Sequence, residues 1–462
     1  MDLILSFLAF MTAMLLSLVS GVTMILALAV GLIAFSLVAL RRGFTLRAIA
    51  RMFANGMWES RIVVVIMLMI GCLTSLWRQT GTIAYFTYHG IRLIPPGLFL
   101  LAAFALASFM SFALGTSFGV AGTIGVILMT IARASGLSPA LVGGAVMSGL
   151  YVGDRGSPAS SSASLVANET RTNASENIRL MLPSSILPLA LCVLFYAALS
   201  RFSRPDSVDA ELLARFAEEF RLSPWCLLPT ILLLALAFAG LNIKWVMAVN
   251  IAVSAALAAL LQGTSAGQIL RMTILGYAPR SAELAPILSG GGIRSMLEVE
   301  ALLLLSSGLS GIFEGTRMLA SIEGAFEKLC GRIGRFPAMV AAGLVNSAVF
   351  CNQTIGIIMC RQCMARNYAN DRAGRTALML DIENSVVTLA GLVPWCIASS
   401  VPLGMLGCGF SALPFAAYLY LIPLCWGLTL KLKRGRGALH SMEENAQGRS
   451  DHDPSALQNI HT

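Results

Sequence analysis

Predominantly apolar runs long enough to cross a membrane recur along this chain, at residues 3–20, 22–40, 62–77, 98–114, 181–199, 227–241, 245–261, 297–313 and 413–430. A hydrocarbon core about 30 Å thick needs roughly 20 such residues in a helix. The pattern therefore predicts an all-α polytopic membrane protein. Shorter apolar pieces cut by Gly, Pro, Ser and Asn lie between these runs, at 118–132, 141–151, 339–350, 355–364 and 385–406. A half-length piece must end inside protein or join another across a kink, because lipid satisfies no irregular backbone. These pieces predict broken helices or re-entrant hairpins and leave the exact helix count open.

The sharpest interruption is 151–164, YVGDRGSPASSSAS, which sets an acid, a base, Gly and Pro, and a cluster of hydroxyls between two apolar segments. In transporters, polar breaks of this kind mark the solute site. The Ser157–Ser164 hydroxyls have two readings. They can form a polar site at a half-helix N-terminus, or they can let helices approach closely as small residues do. The stretches Gly115-Thr-Ser-Phe-Gly119 and Gly122-Thr-Ile-Gly125 carry the same two readings.

Composition agrees with a membrane protein: 57% of the 462 residues are hydrophobic and 12% charged, with a mean hydropathy of +0.78. The net charge of +9 sits mostly in loops beside the spans, where it orients the chain and touches anionic lipid rather than nucleic acid. Arg41, Arg42, Arg47 and Arg51 follow the second run, and Lys431, Lys433, Arg434 and Arg436 follow the last. By the positive-inside rule both ends face the cytoplasm, N-in and C-in, in a plasma or inner membrane. The first run leads straight into the second without a basic start or a cleavage site, so it reads as a helix rather than a signal peptide. The tail beyond Lys431 is polar and reads as a disordered cytoplasmic segment.

Ten cysteines read mainly as small hydrophobes within apolar segments. Cys360-Arg-Gln-Cys363 has half-site spacing but no second pair, so no metal and no cofactor are expected. Neither a Ser/His/Asp arrangement nor a nucleotide motif appears, which argues against an enzyme. Residues 207–222 carry Leu212, Phe216 and Phe220 at four-residue spacing and predict an amphipathic connector. The domain expectation is an N-terminal hairpin with a basic amphipathic segment at 1–60, a first transport repeat at 61–200, a connector at 201–222, a second repeat at 223–431 and a tail at 432–462.

The residues Gly71-Cys-Leu-Thr-Ser-Leu-Trp77, Gly81-Thr-Ile83, Phe112-Ala-Leu-Gly-Thr-Ser-Phe-Gly119, Gly153-Asp154 and Ser157-Pro158 resemble NhaC-type sodium/proton antiporters in order and spacing. Ser289-Gly-Gly-Gly-Ile-Arg-Ser-Met296, Gly311-Ile-Phe-Glu314, Glu383, Ser385 and Pro394-Trp395 continue the likeness. It implies two repeats with broken helices, a secondary exchanger of Na+ and H+, and a homodimer. Where the family carries acids or amides, this chain has Ser161, Asn352 and Asn384 in place of Asp, and Ser164 and Cys396 in place of Asn. Fewer carboxylates weaken the field that replaces a sodium ion's hydration shell.

The candidate ion- or substrate-binding set is Thr116, Ser117, Asp154, Ser157, Ser160, Ser161, Ser164, Asn352, Glu383, Asn384 and Ser385. An ionisable group inside a membrane bundle costs roughly 2.5–3.5 kcal/mol to insert, which favours a role for Asp154 and Glu383. Glu314 and Asp381 are weaker candidates, and an Asp154–Arg155 ion pair is the structural alternative. Two readings follow: exchange of a monovalent cation against protons, or proton- or sodium-coupled movement of a small carboxylate or amino acid. The expected partners are the bilayer and one small ion or organic solute.

Overall fold

A computed structural model describes residues 2–20, 22–203, 210–318 and 320–432. The described residues are helical, without a named strand. The helices are α1 Asp2–Ser20, α2 Met24–Arg41, α3 Leu46–Glu59, α4 Arg61–Gln79, α5 Thr82–Leu93 and α6 Phe99–Leu114. Then follow α7 Ser117–Ala134, α8 Pro139–Gly156, α9 Ser161–Thr170, α10 Ala174–Phe202 and α11 Ala210–Glu219. The second half holds α12 Pro224–Phe238, α13 Ile243–Gln262, α14 Ala266–Leu275, α15 Ile293–Thr316, α16 Ala320–Ile333, α17 Arg335–Phe350, α18 Gln353–Met364, α19 Arg372–Glu383 and α20 Ile397–Leu406, and α21 Ala417–Leu432. Among the described residues 7 helices are long and apolar enough to span a membrane, or up to 8 if the bent 372–406 pair is one span.

Two expectations change in detail. The piece at 118–132 is part of α7, an 18-residue helix carried through a π-helical turn at Ala121–Gly125. The piece at 141–151 belongs to α8, whose Pro139 start is a favoured first-turn position and which runs on to Gly156. The break at 385–406 is a bend of 51° between the Arg372–Leu392 and Ile397–Leu406 segments. Within the span expected as the connector lies α11, and Phe216 and Phe220 are buried. The tail from 433 lies outside the described residues, as do 204–209 at the start of the connector.

Polar side chains fix where helices begin. Thr45 caps α3 by accepting from Ala48 N, Asn173 caps α10 by accepting from Ser175 and Glu176, and Ser265 with Gln268 forms a capping box on α14. Helix contacts are made through small residues, as expected where lipid gives no hydrophobic drive to association. A Cβ on Gly56 of α3 would sit 2.2 Å from Ser307 O of α15, and one on Gly311 would sit 2.4 Å from Met52 O. The basic segment after α2 is thus seated against α15.

The two helix breaks share one geometry. α6 ends at Gly115 (φ 62, ψ 22) and α7 starts from Thr116 (φ −144, ψ 122). α17 ends at Cys351 (φ 55, ψ 16) and α18 starts from Asn352 (φ −141, ψ 124). A left-handed residue followed by an extended one turns the chain without lengthening it, and the next helix starts at once. Cys351 takes the left-handed conformation without glycine's freedom, a strained state that persists only where its surroundings enforce it.

The close contact of α8 with α6 sets the height of the polar break. A Cβ on Gly153 would fall 2.0 Å from Ser111 C and 2.4 Å from Phe112 N, both backbone, whereas one on Gly156 would meet nothing within 4 Å. Gly153→Ala is expected to lower stability by about 1–3 kcal/mol and Gly156→Ala to stay within about 1 kcal/mol of wild type. Thermal unfolding of the two purified variants checks the contrast, and equal melting temperatures would remove Gly153 as the contact that seats α8.

Candidate functional site

Both breaks open on one cavity of about 620 Å³. Thr116 and Ser117 line it from the first break, Asn352, Gln353 and Thr354 from the second, and Asp154, Ser161 and Ser162 from α8 and α9. Its remaining wall includes Ile62, Val63 and Ile66 of α4, Leu303 of α15, Ala398 of α20 and the exposed α12–α13 turn at Gly240–Asn242. Helices α7, α9 and α18 all start at this wall. Their caps hold the first turns open: Thr116 accepts from Gly119 N, Ser160 from Ala163 N and Asn352 from Thr354 N. N-terminal helix ends carry partial positive charge, so the cavity joins helix-end amides to one carboxylate.

That carboxylate is Asp154, 4% exposed. Ser162 Oγ donates to it at 3.2 and 3.3 Å, and Gln353 Nε2 donates to Oδ2 at 3.0 Å. Gln353 Nε2 also donates to Val387 O at 2.9 Å. One side chain of the second half therefore joins the acid of the first half to the segment after Glu383. Gln353 drew no notice in the sequence, because a single Gln after a helix break carries no signal until its partners are placed.

Arg155 is fully buried behind the cavity and donates to five groups. These are Glu383 O at 3.2 Å, Ser185 Oγ at 2.5 Å, Tyr418 OH at 3.4 Å, Ser184 Oγ at 2.8 Å and Asn384 Oδ1 at 2.7 Å. Arg155 thus knits α8, α10, the α19 end and α21 together, and no Asp154–Arg155 ion pair is formed among the described residues. Glu383 is also fully buried, and neither of its carboxylate oxygens has a hydrogen-bond partner. It lies within electrostatic reach of Arg155 and Asp154.

The other candidates divide cleanly. Ser157 donates to Phe112 O at 2.6 Å, Ser160 to Asp154 O, and Ser164 to Ser160 O at 2.8 Å. Ser385 donates to Asp381 O. These hydroxyls bind backbone carbonyls around the site and do not line it. Asn384 belongs to the Arg155 cluster. Asp381 accepts from Tyr368 at 2.7 Å and Trp426 at 2.8 Å beside Arg335 at 3.6 Å, and none of these residues lines the cavity. Glu314 is exposed at the end of α15. Cys360 and Cys363 are both buried. Glu300 on α15, one turn from Leu303, is a further buried carboxylate without a hydrogen-bond partner; close to Glu298 in the sequence, it carries no signal of its own until its surroundings are placed.

Comparison with known proteins agrees with these features. The model of the Na+/H+ antiporter family matches residues 2–170 and 149–428. The chain is 27% identical over 400 residues to a malate-2H(+)/Na(+)-lactate antiporter of Bacillus subtilis, covering 84% of this chain and 85% of the relative. It is 24% identical over 398 residues to the Na(+)/H(+) antiporter NhaC of Bacillus subtilis, covering 84% and 88%. It is 25% identical over 341 residues to the arginine/ornithine antiporter ArcD of Halobacterium salinarum, covering 71% and 70%.

The two buried charges behind the cavity differ in what their removal leaves. Arg155→Gln strands five hydrogen-bond acceptors, four of them buried, and is expected to cost about 3 kcal/mol or more. Glu383→Gln removes a carboxylate that bonds to nothing, and is expected to leave stability unchanged or raised. Melting temperatures in detergent decide between them; a loss at Glu383→Gln as large as at Arg155→Gln would make Glu383 a structural partner.

Proposed function

The chain belongs to the Na+/H+ antiporter family, and from that premise we propose that it is a secondary exchanger moving a monovalent cation, Na+, against protons through the cavity at the helix breaks. The observation that carries this reading is Asp154. It is the acid in the cavity wall, hydrogen-bonded by Ser162 and Gln353, and Ser117, Ser161 and Asn352 line the same cavity. A hard cation takes carboxylate, hydroxyl and carbonyl oxygens, and the same carboxylate carries a proton when the cation leaves. Glu383, buried within reach of Asp154, is the second proton-holding group in this scheme. The matched break geometry supports two related halves, 61–200 and 223–431, sharing one site. The loop after α2 is assigned to the cytoplasm on Arg41, Arg42, Arg47 and Arg51, and the N-terminus to the same side because α1 and α2 cross the membrane one after the other.

A second reading has its own support. The starts of α7, α9 and α18 direct positive helix ends at the cavity, and positive helix ends attract carboxylate. Relatives named for malate, lactate, arginine and ornithine share most of their length with this chain. In this reading a small carboxylate or amino acid is the solute and Asp154 keeps the proton coupling.

Purified protein in liposomes, with internal pH recorded while Na+, lactate, malate and amino acids are added in turn, separates the two. Asp154→Asn is expected to fold normally and to reduce exchange by at least about 100-fold, the lower end of what a positioned proton-transfer group contributes. Unchanged exchange and unchanged pH dependence would overturn the role of Asp154. Ser161→Asp combined with Asn352→Asp adds carboxylates to the cavity wall and is expected to raise Na+-dependent proton movement. A correctly folded double variant with no gain would count against a cation site at these positions.

A further inference from the structure

Helix α4 lines a second cavity further along its length, of about 170 Å³. Ile66 faces the first cavity, while Ile70, Thr74 and Arg78 face the second. From Ile62 to Arg78 the helix rises about 24 Å at 1.5 Å per residue. Helices α15 and α20 also serve both: Leu303 and Ala398 line the first cavity, Met296 and Leu406 the second. Between the cavities Ile70 is seated on Gly122 of α7, where an added Cβ would fall 2.2 Å from its Cγ2. The second cavity therefore lies across a hydrophobic layer from the first, and its rim holds the exposed Ser289 and Gly407.

Its charged groups are of one sign. Arg78 and Arg133 both line it, no Asp or Glu does, and the two guanidiniums repel one another. Arg133 has a structural task, since its Nη2 donates to Leu406 O at 3.0 Å and Gly407 O at 2.9 Å at the end of α20. Arg78 has none of that kind. It is 6% exposed, its Nη1 reaches Thr74 O at 3.1 Å on its own helix, and its Nε has no partner. An unsatisfied, desolvated cation beside a second cation is costly unless an anion enters.

We infer that this cavity binds a short-chain organic carboxylate. A guanidinium fork matches a planar carboxylate in a bidentate manner. Ile70, Val126, Met129 and Met296 give one part of the wall an apolar surface that suits the carbon chain of an organic acid, while Thr74, Ser289 and Ser295 add hydroxyls. The three-glycine turn Gly290-Gly291-Gly292 has φ of 127, 71 and 81 and brings backbone within reach of Arg78, so that a Cβ at Gly290 would lie 3.8 Å from its Nη2. The site is separate from the Asp154 cavity and does not rest on which solute that cavity exchanges.

The test is thermal unfolding of the full-length purified protein in sodium lactate, malate, chloride and phosphate at matched sodium and ionic strength. Lactate or malate is expected to raise the melting temperature of the wild type and of Asp154→Asn, and not of Arg78→Gln. Arg78→Lys keeps the charge without the fork, so the inference stays open to refutation if Arg78→Gln does not fold; it is expected to need roughly tenfold more carboxylate for the same shift. A shift that survives in Arg78→Gln or Arg78→Lys unchanged, that disappears in Asp154→Asn, or that chloride and phosphate reproduce would overturn the assignment. Transport in liposomes is read as internal pH, so a failure there and a failure here are separate results.

Discussion

Every freed backbone group at a helix break inside the membrane must find a partner in the protein, and this requirement organises the molecule. At the first break Ser157 donates to Phe112 O. At the second, Ser310 donates to Phe350 O, while Ser306 and Ile397 N both donate to Cys351 O. Trp395 adds a bond to Ala348 O. The donors come from distant segments, so each break is tied to the polar loop or helix that closes around it. The cavity is what remains between these bonds, and its position follows from them.

The charges near the cavity divide into satisfied and unsatisfied groups. Arg155 spends its donors on three other segments and fixes their relative positions. Glu383 and Glu300 offer oxygens that no group meets. Leaving a carboxylate unpartnered away from water is unfavourable for folding, and inside a membrane bundle such groups mark proton and ion routes. The family assignment gives this arrangement a use: an exchanger needs groups that can hold a proton at one stage and release it at another, and a carboxylate already locked by strong donors serves that purpose poorly. Arg155 and Asp381, with their full sets of partners, belong to the scaffold, while Asp154 keeps only weak hydroxyl and amide donors.

The sequence by itself determined the membrane class, the broken helices and the polar interruption at Asp154, because hydrophobic length, Gly/Pro/Ser punctuation and an acid between apolar runs are local properties. The likeness to sodium/proton antiporters was readable in the same stretches, and the family match across residues 2–170 and 149–428 agrees with it. Tertiary structure alone decided which hydroxyls face the cavity. Ser161 and Ser162 line the cavity while Ser157, Ser160, Ser164 and Ser385 bind carbonyls, a division that depends on which helix face meets a distant chain segment. Gln353, Glu300 and Arg78 gain meaning the same way: a side chain's partners, or their absence, are set by segments far away in sequence, and composition and spacing carry no record of them.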